Sequence, residues 1–341
     1  MSAHGEPALD ADLADVRRWD ALAPEPREAV ARAVAARLPE SFRFAGMAPH
    51  TLGDQTHTLA FFDRDGARFA LIPGGEVTLG YDPAAFVPSP GQIAAMDEMH
   101  EYLAEDEDEE DSMSDLPSYL ARLARGGYQD RFLTPIRRAT IAPFLLETQA
   151  TEAGVFPVPA EEYLTRAQIA SFHRQPGLQA EMGVTGQAMR MQSNGAGAVR
   201  LFVHSHPTHA EVTAALARAG CRLPSSDEWE YACGAGARSL FRWGDDCPLR
   251  RLPILDDEDE PDSAWDLHEQ PNAFGLRFSG NPYDWEICAE PGLMRGGDGG
   301  VAICGGEGPV AAWTALATAF AWRWEHDELI GAHVRRAYSL I

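Results

Sequence analysis

The stretch Arg222-Leu-Pro-Ser-Ser-Asp-Glu-Trp-Glu-Tyr-Ala232, with Phe241-Arg-Trp-Gly-Asp245 just beyond it, decides the fold. Asp227 to Cys233 reads as a short helix capped by Ser225 or Ser226. Asp227 and Glu228 fall in its first turn, where the helix dipole favours carboxylates. Trp229, Tyr231, Trp243 and, further on, Trp285 are large apolar side chains with one polar atom each, suited to pinning loops. Arg222, Glu230 and Asp245 have the chemistry of buried, paired charges that hold irregular backbone together.

Toward the N-terminus, Asp10–Asp20 and Pro26–Leu38 read as helices. Val30, Val34, Ala35 and Leu38 recur at helical spacing, and Pro26 suits a first turn. Phe42 to Phe62 reads as short strands and turns. Phe69-Ala-Leu-Ile-Pro-Gly-Gly-Glu-Val-Thr-Leu-Gly80 reads as strand, Pro-Gly-Gly turn, strand. Thr140-Ile-Ala-Pro-Phe-Leu-Leu-Glu147 is a buried-strand candidate. His209–Ala219 is a helix capped by Thr208. From Gly234 onward Gly, Pro and Trp abound and regular periodicity is weak, which predicts a loop-dominated region whose backbone groups need partners.

Four segments in order carry a family resemblance: Phe69 to Gly80; Arg222 to Ala232 with Phe241 to Asp245; Asn272-Ala-Phe-Gly-Leu276 with Gly280-Asn-Pro-Tyr-Asp-Trp285; and Met294-Arg-Gly-Gly297. Together they resemble the formylglycine-generating enzyme family, also called sulfatase-modifying factor domains. Ile141 to Thr151 stands where that family has an early strand and turn, and Gly331-Ala-His-Val-Arg335 weakly resembles its closing strand. The resemblance implies an α+β, C-type-lectin-like fold, rich in loops, with Arg222, Glu230, Trp243, Asp245, Trp285 and Arg295 as structural motif residues. Residues 1–66 are then an N-terminal helical and strand extension, and 67–341 the family-like domain, with 81–137 as an acidic insertion.

The founding members resemble copper-dependent oxidases that turn a substrate cysteine into formylglycine, and that chemistry needs two neighbouring soft thiolates to suit Cu(I). Here Arg295-Gly-Gly is followed by Asp298-Gly299, and Cys304 is the one cysteine downstream. Cys304 is thus the candidate catalytic thiol of a genuine oxidase, while the missing pair argues against copper. The leading expectation is a pseudoenzyme, an accessory or binding protein using lectin-like loops. The alternative is a family member using another transition metal. Its ligands would come from Leu201-Phe-Val-His-Ser-His-Pro-Thr-His209, where His204 and His206 share a face if the segment is a strand and His209 starts the next helix. The family also implies calcium, with Asn281 and Asp284 in one loop and Asp257 and Asp259 in another as oxygen donors.

The charge balance limits the partners. Lys and Arg number 28 against 52 Asp and Glu in 341 residues, a net charge of −24. Such a chain lacks the basic surface that nucleic acid or an anionic membrane requires. Two acidic blocks, Glu105–Asp111 and Asp256–Asp262, supply much of the excess. The first is the candidate contact for a basic protein or peptide partner. Five cysteines, no CxxC pair, no apolar run of membrane-spanning length and no signal-like N-terminus lead to the expectation of a cytoplasmic protein.

Overall fold

The computed structural model describes residues 9–103, 115–125, 130–158, 160–175, 179–184, 187–193, 199–254 and 265–340. Among the described residues helix accounts for 31% and strand for 29%, a mixed α and β architecture. The chain divides into two compact units. The first comprises Met1–Thr151, Ala215–Glu325 and His333–Ile341; the second comprises Glu152–Ala214 and His326–Ala332.

The first unit begins with helices α1 (Leu9–Leu13), α2 (Val16–Ala21) and α3 (Pro24–Arg37). Strands β1 (Arg43–Leu52), β2 (Gln55–Arg64), β3 (Ala67–Ile72) and β4 (Gly75–Leu79) follow. Next come helices α4 (Pro90–Leu103) and α5 (Leu116–Ala124), and strands β5 (Arg131–Leu133), β6 (Arg137–Ile141) and β7 (Phe144–Glu147). After the second unit the chain forms helix α6 (Ser226–Gly234), strands β8 (Trp285–Ile287) and β9 (Leu293–Arg295), and helices α7 (Val301–Cys304) and α8 (Gly308–Thr314). Strands β10 (Phe320–Arg323) and β11 (Ala337–Ser339) complete it.

One antiparallel sheet has the order β1-β2-β3-β7-β11. Residues 43–64, set apart by sequence as an extension of short strands, form two ten-residue strands hydrogen-bonded into this sheet. The β2–β3 turn is Asp65-Gly66, both at positive φ, the geometry that matches strand twist in a two-residue hairpin. Central strand β7, Phe-Leu-Leu-Glu, is buried at every position. It packs with Phe62, Phe69, Leu71 and Ile72 into a core that also takes Val30, Ala31 and Val34 from α3. Trp19 of α2 is wholly buried there, and its indole N–H donates to the Thr58 carbonyl at 2.8 Å.

Helix α6 forms for local reasons. The Ser225 hydroxyl accepts from the Glu228 N–H at 3.1 Å, and the Glu228 carboxylate accepts from the Ser225 N–H at 2.8 Å, a complete capping box. Arg222 grips the same carboxylate with two nitrogens at 2.6 and 2.7 Å. The helix ends at Ala235 in the left-handed region, φ 48°. A second set of strands runs β5-β10-β9-β8 beside it. No helix or extended strand is assigned among the described residues between Ala235 and Asp284, as the weak periodicity there predicts.

The second unit is a four-stranded antiparallel sheet in the order 179–184, 187–193, 199–204, 155–158, with helices Ala160–Tyr163 and Arg166–His173. Ala160, Leu164, Met189, Met191 and Leu201 form its core. No helix among the described residues is long and apolar enough to cross a membrane.

Candidate functional site

In the first unit, the irregular backbone after α6, with Gln149, Ala150, His333 and Arg335, lines an open cavity of about 510 Å³. Its walls include Trp265, His268, Arg277, Ser279, Asn281 and Asp284. Buried charge fixes those walls in place. Arg335, wholly buried, pairs with Glu286 through two nitrogens at 2.9 and 2.6 Å, and the indole N–H of Trp229 donates to the same carboxylate at 2.9 Å. Arg335 also donates to the carbonyls of Glu147 and Arg277, each at 2.8 Å. One guanidinium therefore ties β7, β8 and the cavity loop together.

The loop from Ser279 to Asp284 is a compact hydrogen-bonded turn. The Ser279 hydroxyl donates to Asp284 Oδ2 at 2.6 Å and accepts from the Asn281 N–H at 3.0 Å. The Tyr283 N–H donates to Asn281 Oδ1 at 3.0 Å. Close approach makes glycine necessary beside it. A Cβ on Gly297 would lie 2.0 Å from the Asp284 carbonyl oxygen, and one on Gly280 would lie 2.7 Å from the His268 ring.

His268 is buried, with Nε2 facing the Pro253 carbonyl at 3.1 Å. Burial pushes its imidazole down from 6.5 to about 4, helped by the positive charges of Arg251 and Arg242 and opposed by the Pro253 hydrogen bond. Neutral at pH 7, it stacks on Trp265 at 5.4 Å between ring centres. Arg277 differs from the other guanidiniums of the wall. The residue is exposed, and among the described residues its side chain makes one long hydrogen bond, 3.4 Å, to the Glu269 carbonyl. It forms no ion pair among the described residues, although its backbone is fixed by an N–H bond to Thr148 at 2.8 Å and by Arg335.

The predicted motif residues are engaged elsewhere in the fold, apart from Trp285. Glu230 on α6 is almost wholly buried, with four donors on its carboxylate. They are the Gly80 N–H, the Thr134 hydroxyl at 2.9 Å, Arg137 at 2.9 Å and Arg295 at 2.8 Å. Trp243 stacks flat on Phe241 at 4.7 Å and donates to the Asp246 carbonyl, and Asp245 accepts from the Leu240 N–H at 2.6 Å. Trp285 lines the cavity itself.

Cys304 is the exposed thiol among the five free cysteines, and its sulfur lies 3.1 Å from the Tyr283 hydroxyl. Cys288, with which it would have to pair, is wholly buried, and burial holds that thiol protonated. Asp298, which follows Arg295-Gly-Gly, is also wholly buried. It accepts from the Gly300 and Ala302 N–H groups at 3.0 and 2.9 Å and from Arg131 at 3.1 Å. It braces the first turn of α7 and faces no solvent. Burial raises its carboxyl despite these donors.

The histidine candidates lie in the second unit. The strand ends at His204, so His206 falls beyond it and the shared-face geometry does not arise. His204 Nδ1 is 3.8 Å from Glu152, and His206 is 4.0 Å from Glu328. Among the described residues no three His, Cys, Asp or Glu side chains stand together as a metal-holding group. Asp257, Asp259 and the block Glu105–Asp111 lie outside the described residues. Sequence reasoning missed Arg277, His268 and Glu286, and met Arg335 only in the closing-strand resemblance, without its role; a usable signal was Glu286 directly after the anchoring Trp285.

Comparison with known proteins found no family model that matches the chain and no curated protein that matches it.

Proposed function

We propose that this chain is a binding protein built on a formylglycine-generating-enzyme-like domain, and that its loop-walled cavity recognises a small polar ligand without oxidising it. The observation that carries this reading is the 510 Å³ cavity, within the range that small-molecule sites occupy. Polar and charged side chains dominate its walls, Trp265, Phe278 and Trp285 add aromatic faces, and its rear is braced by the Arg335–Glu286 pair. The motif residues on which the resemblance rests have partners within the fold: Arg222 holds Glu228, Arg295 holds Glu230, and Trp243 stacks on Phe241. The oxidase reading lacks its second thiolate, since Cys304 is exposed and Cys288 is enclosed. Free thiols at all five cysteines support a reducing, cytoplasmic setting.

The test uses the full chain and a variant that narrows the cavity at an exposed wall position, Gln149→Trp. A panel of small polar molecules is screened by thermal shift. At least one compound raises the melting temperature of the wild type and leaves Gln149→Trp unmoved. Equal shifts in both proteins, or none in either, overturn the proposal. Incubation with copper and a Cys-x-Pro-x-Arg peptide yields no aldehyde; an aldehyde product restores the oxidase reading.

A further inference from the structure

We infer that the cavity takes a small organic monocarboxylate that also carries hydrogen-bond donors, an amino acid or hydroxy acid, with Arg277 as the anchor of its carboxylate. This rests on the cavity being the binding site. Three observations narrow the ligand class. First, the charges of the wall are unequally engaged. Arg335 is matched by Glu286 in a two-point pair, whereas Arg277 lines the same cavity with its planar fork free of any carboxylate among the described residues. A guanidinium in that state is suited to a carboxylate, which it meets with two parallel N–H bonds.

Second, the anchor is held ready. The Arg277 N–H is bonded to the Thr148 carbonyl and its own carbonyl accepts from the buried Arg335, so the base of the side chain is fixed before any ligand arrives. Third, Asp266, Glu269 and Asp284 line the same space. They repel a dianion such as a phosphate ester, and they accept from the ammonium or hydroxyl groups of a monoanion. The Trp265 face, backed by the neutral His268 ring, supplies an apolar wall for the ligand's carbon skeleton.

The experiment is saturation-transfer NMR on the full chain. The probes are the neutral standard L-amino acids, glycolate, lactate and glycerate, each against its carboxamide counterpart, with inorganic phosphate as the dianion control. The expected result is saturation of at least one carboxylate probe and not of its amide. Arg277→Gln weakens that binding by about tenfold or more, the scale of a lost charge-assisted contact, and Arg277→Lys retains part of it. Equal affinity in Arg277→Gln, preference for phosphate, or no carboxylate bound at about 10 mM overturns the inference. A neutral probe that binds the wild type and Arg277→Gln alike, but not Gln149→Trp, overturns the carboxylate assignment and leaves the cavity reading intact. Binding that survives Gln149→Trp overturns the cavity reading itself.

Discussion

Glu230→Gln isolates what the buried charge frame is worth. The substitution keeps the shape of the side chain but removes the negative charge that Arg295 meets at 2.8 Å and Arg137 at 2.9 Å. Arg295 is wholly buried and cannot rehydrate in place, although the Ser226 hydroxyl at 2.7 Å and the Phe320 carbonyl at 3.1 Å remain as neutral partners. Removing one partner of a buried pair costs about 3–5 kcal/mol, because the other charge is left uncompensated. At roughly 2–4 °C per kcal/mol for a domain of this size, the melting temperature should fall by roughly 6–20 °C. Urea unfolding followed by circular dichroism reads the free energy directly.

The pH dependence gives a second readout of the same residue. Burial pushes the Glu230 carboxyl up, but Arg295, Arg137 and the Gly80 N–H outweigh it and hold the group below its ordinary value. A carboxyl depressed in the folded state stabilises fully above its unfolded value, and that stabilisation is lost as pH falls through the folded value. The difference between wild type and Glu230→Gln should therefore be constant near neutrality and shrink in acid. A loss under about 1 kcal/mol at pH 7, the worth of a solvated surface pair, would refute the reasoning.

Other outcomes follow from the same contacts. Native protein should titrate one thiol rapidly with a thiol-exchange reagent, Cys304, and release the other four only in denaturant; mass mapping of the labelled peptides checks this. Ser225→Ala should cost about 1 kcal/mol of stability by urea unfolding, since it opens the α6 capping box while Arg222 still holds Glu228. His268 stays neutral in the fold down to about 4, while in the unfolded chain it takes a proton near 6.5. Its contribution is whole above 6.5 and drains away as pH falls toward 4, so His268→Gln should flatten the stability profile across that window in denaturant titrations.

What could be read from the chain was what is local. The α6 cap needs only Ser225 and Glu228, three residues apart, and the apolar run Phe144-Leu-Leu marks β7, although the single strand expected over Thr140–Glu147 breaks at Ala142-Pro143 and leaves Thr140 and Ile141 in β6. Helix α8 escaped notice because Val310 to Thr314 are buried on every side, which leaves no amphipathic period to detect. The strands 179–184 and 187–193 are built from Gln, Ala and Met, residues with little strand preference of their own. The cavity was the least legible part. Its bracing pair, Glu286 and Arg335, is separated by 49 residues, and Arg335 meets Arg277 across 58. Only tertiary packing brings them together, whereas the loop of Asn281 and Asp284 could be located from a contiguous motif.

The last strand has a consequence for how the molecule is made. β11 adds to the sheet beside β7, Arg335 and Arg336 supply the cations for Glu286 and Glu147, and Ala337 exchanges backbone hydrogen bonds with Arg222. During synthesis those carboxylates wait for their cations, and the edge of β7 for its neighbour, until the ribosome has released residues 335–339. The first unit therefore completes its sheet and these ion pairs only after translation has passed that point, and until then β7 presents an unpaired strand edge.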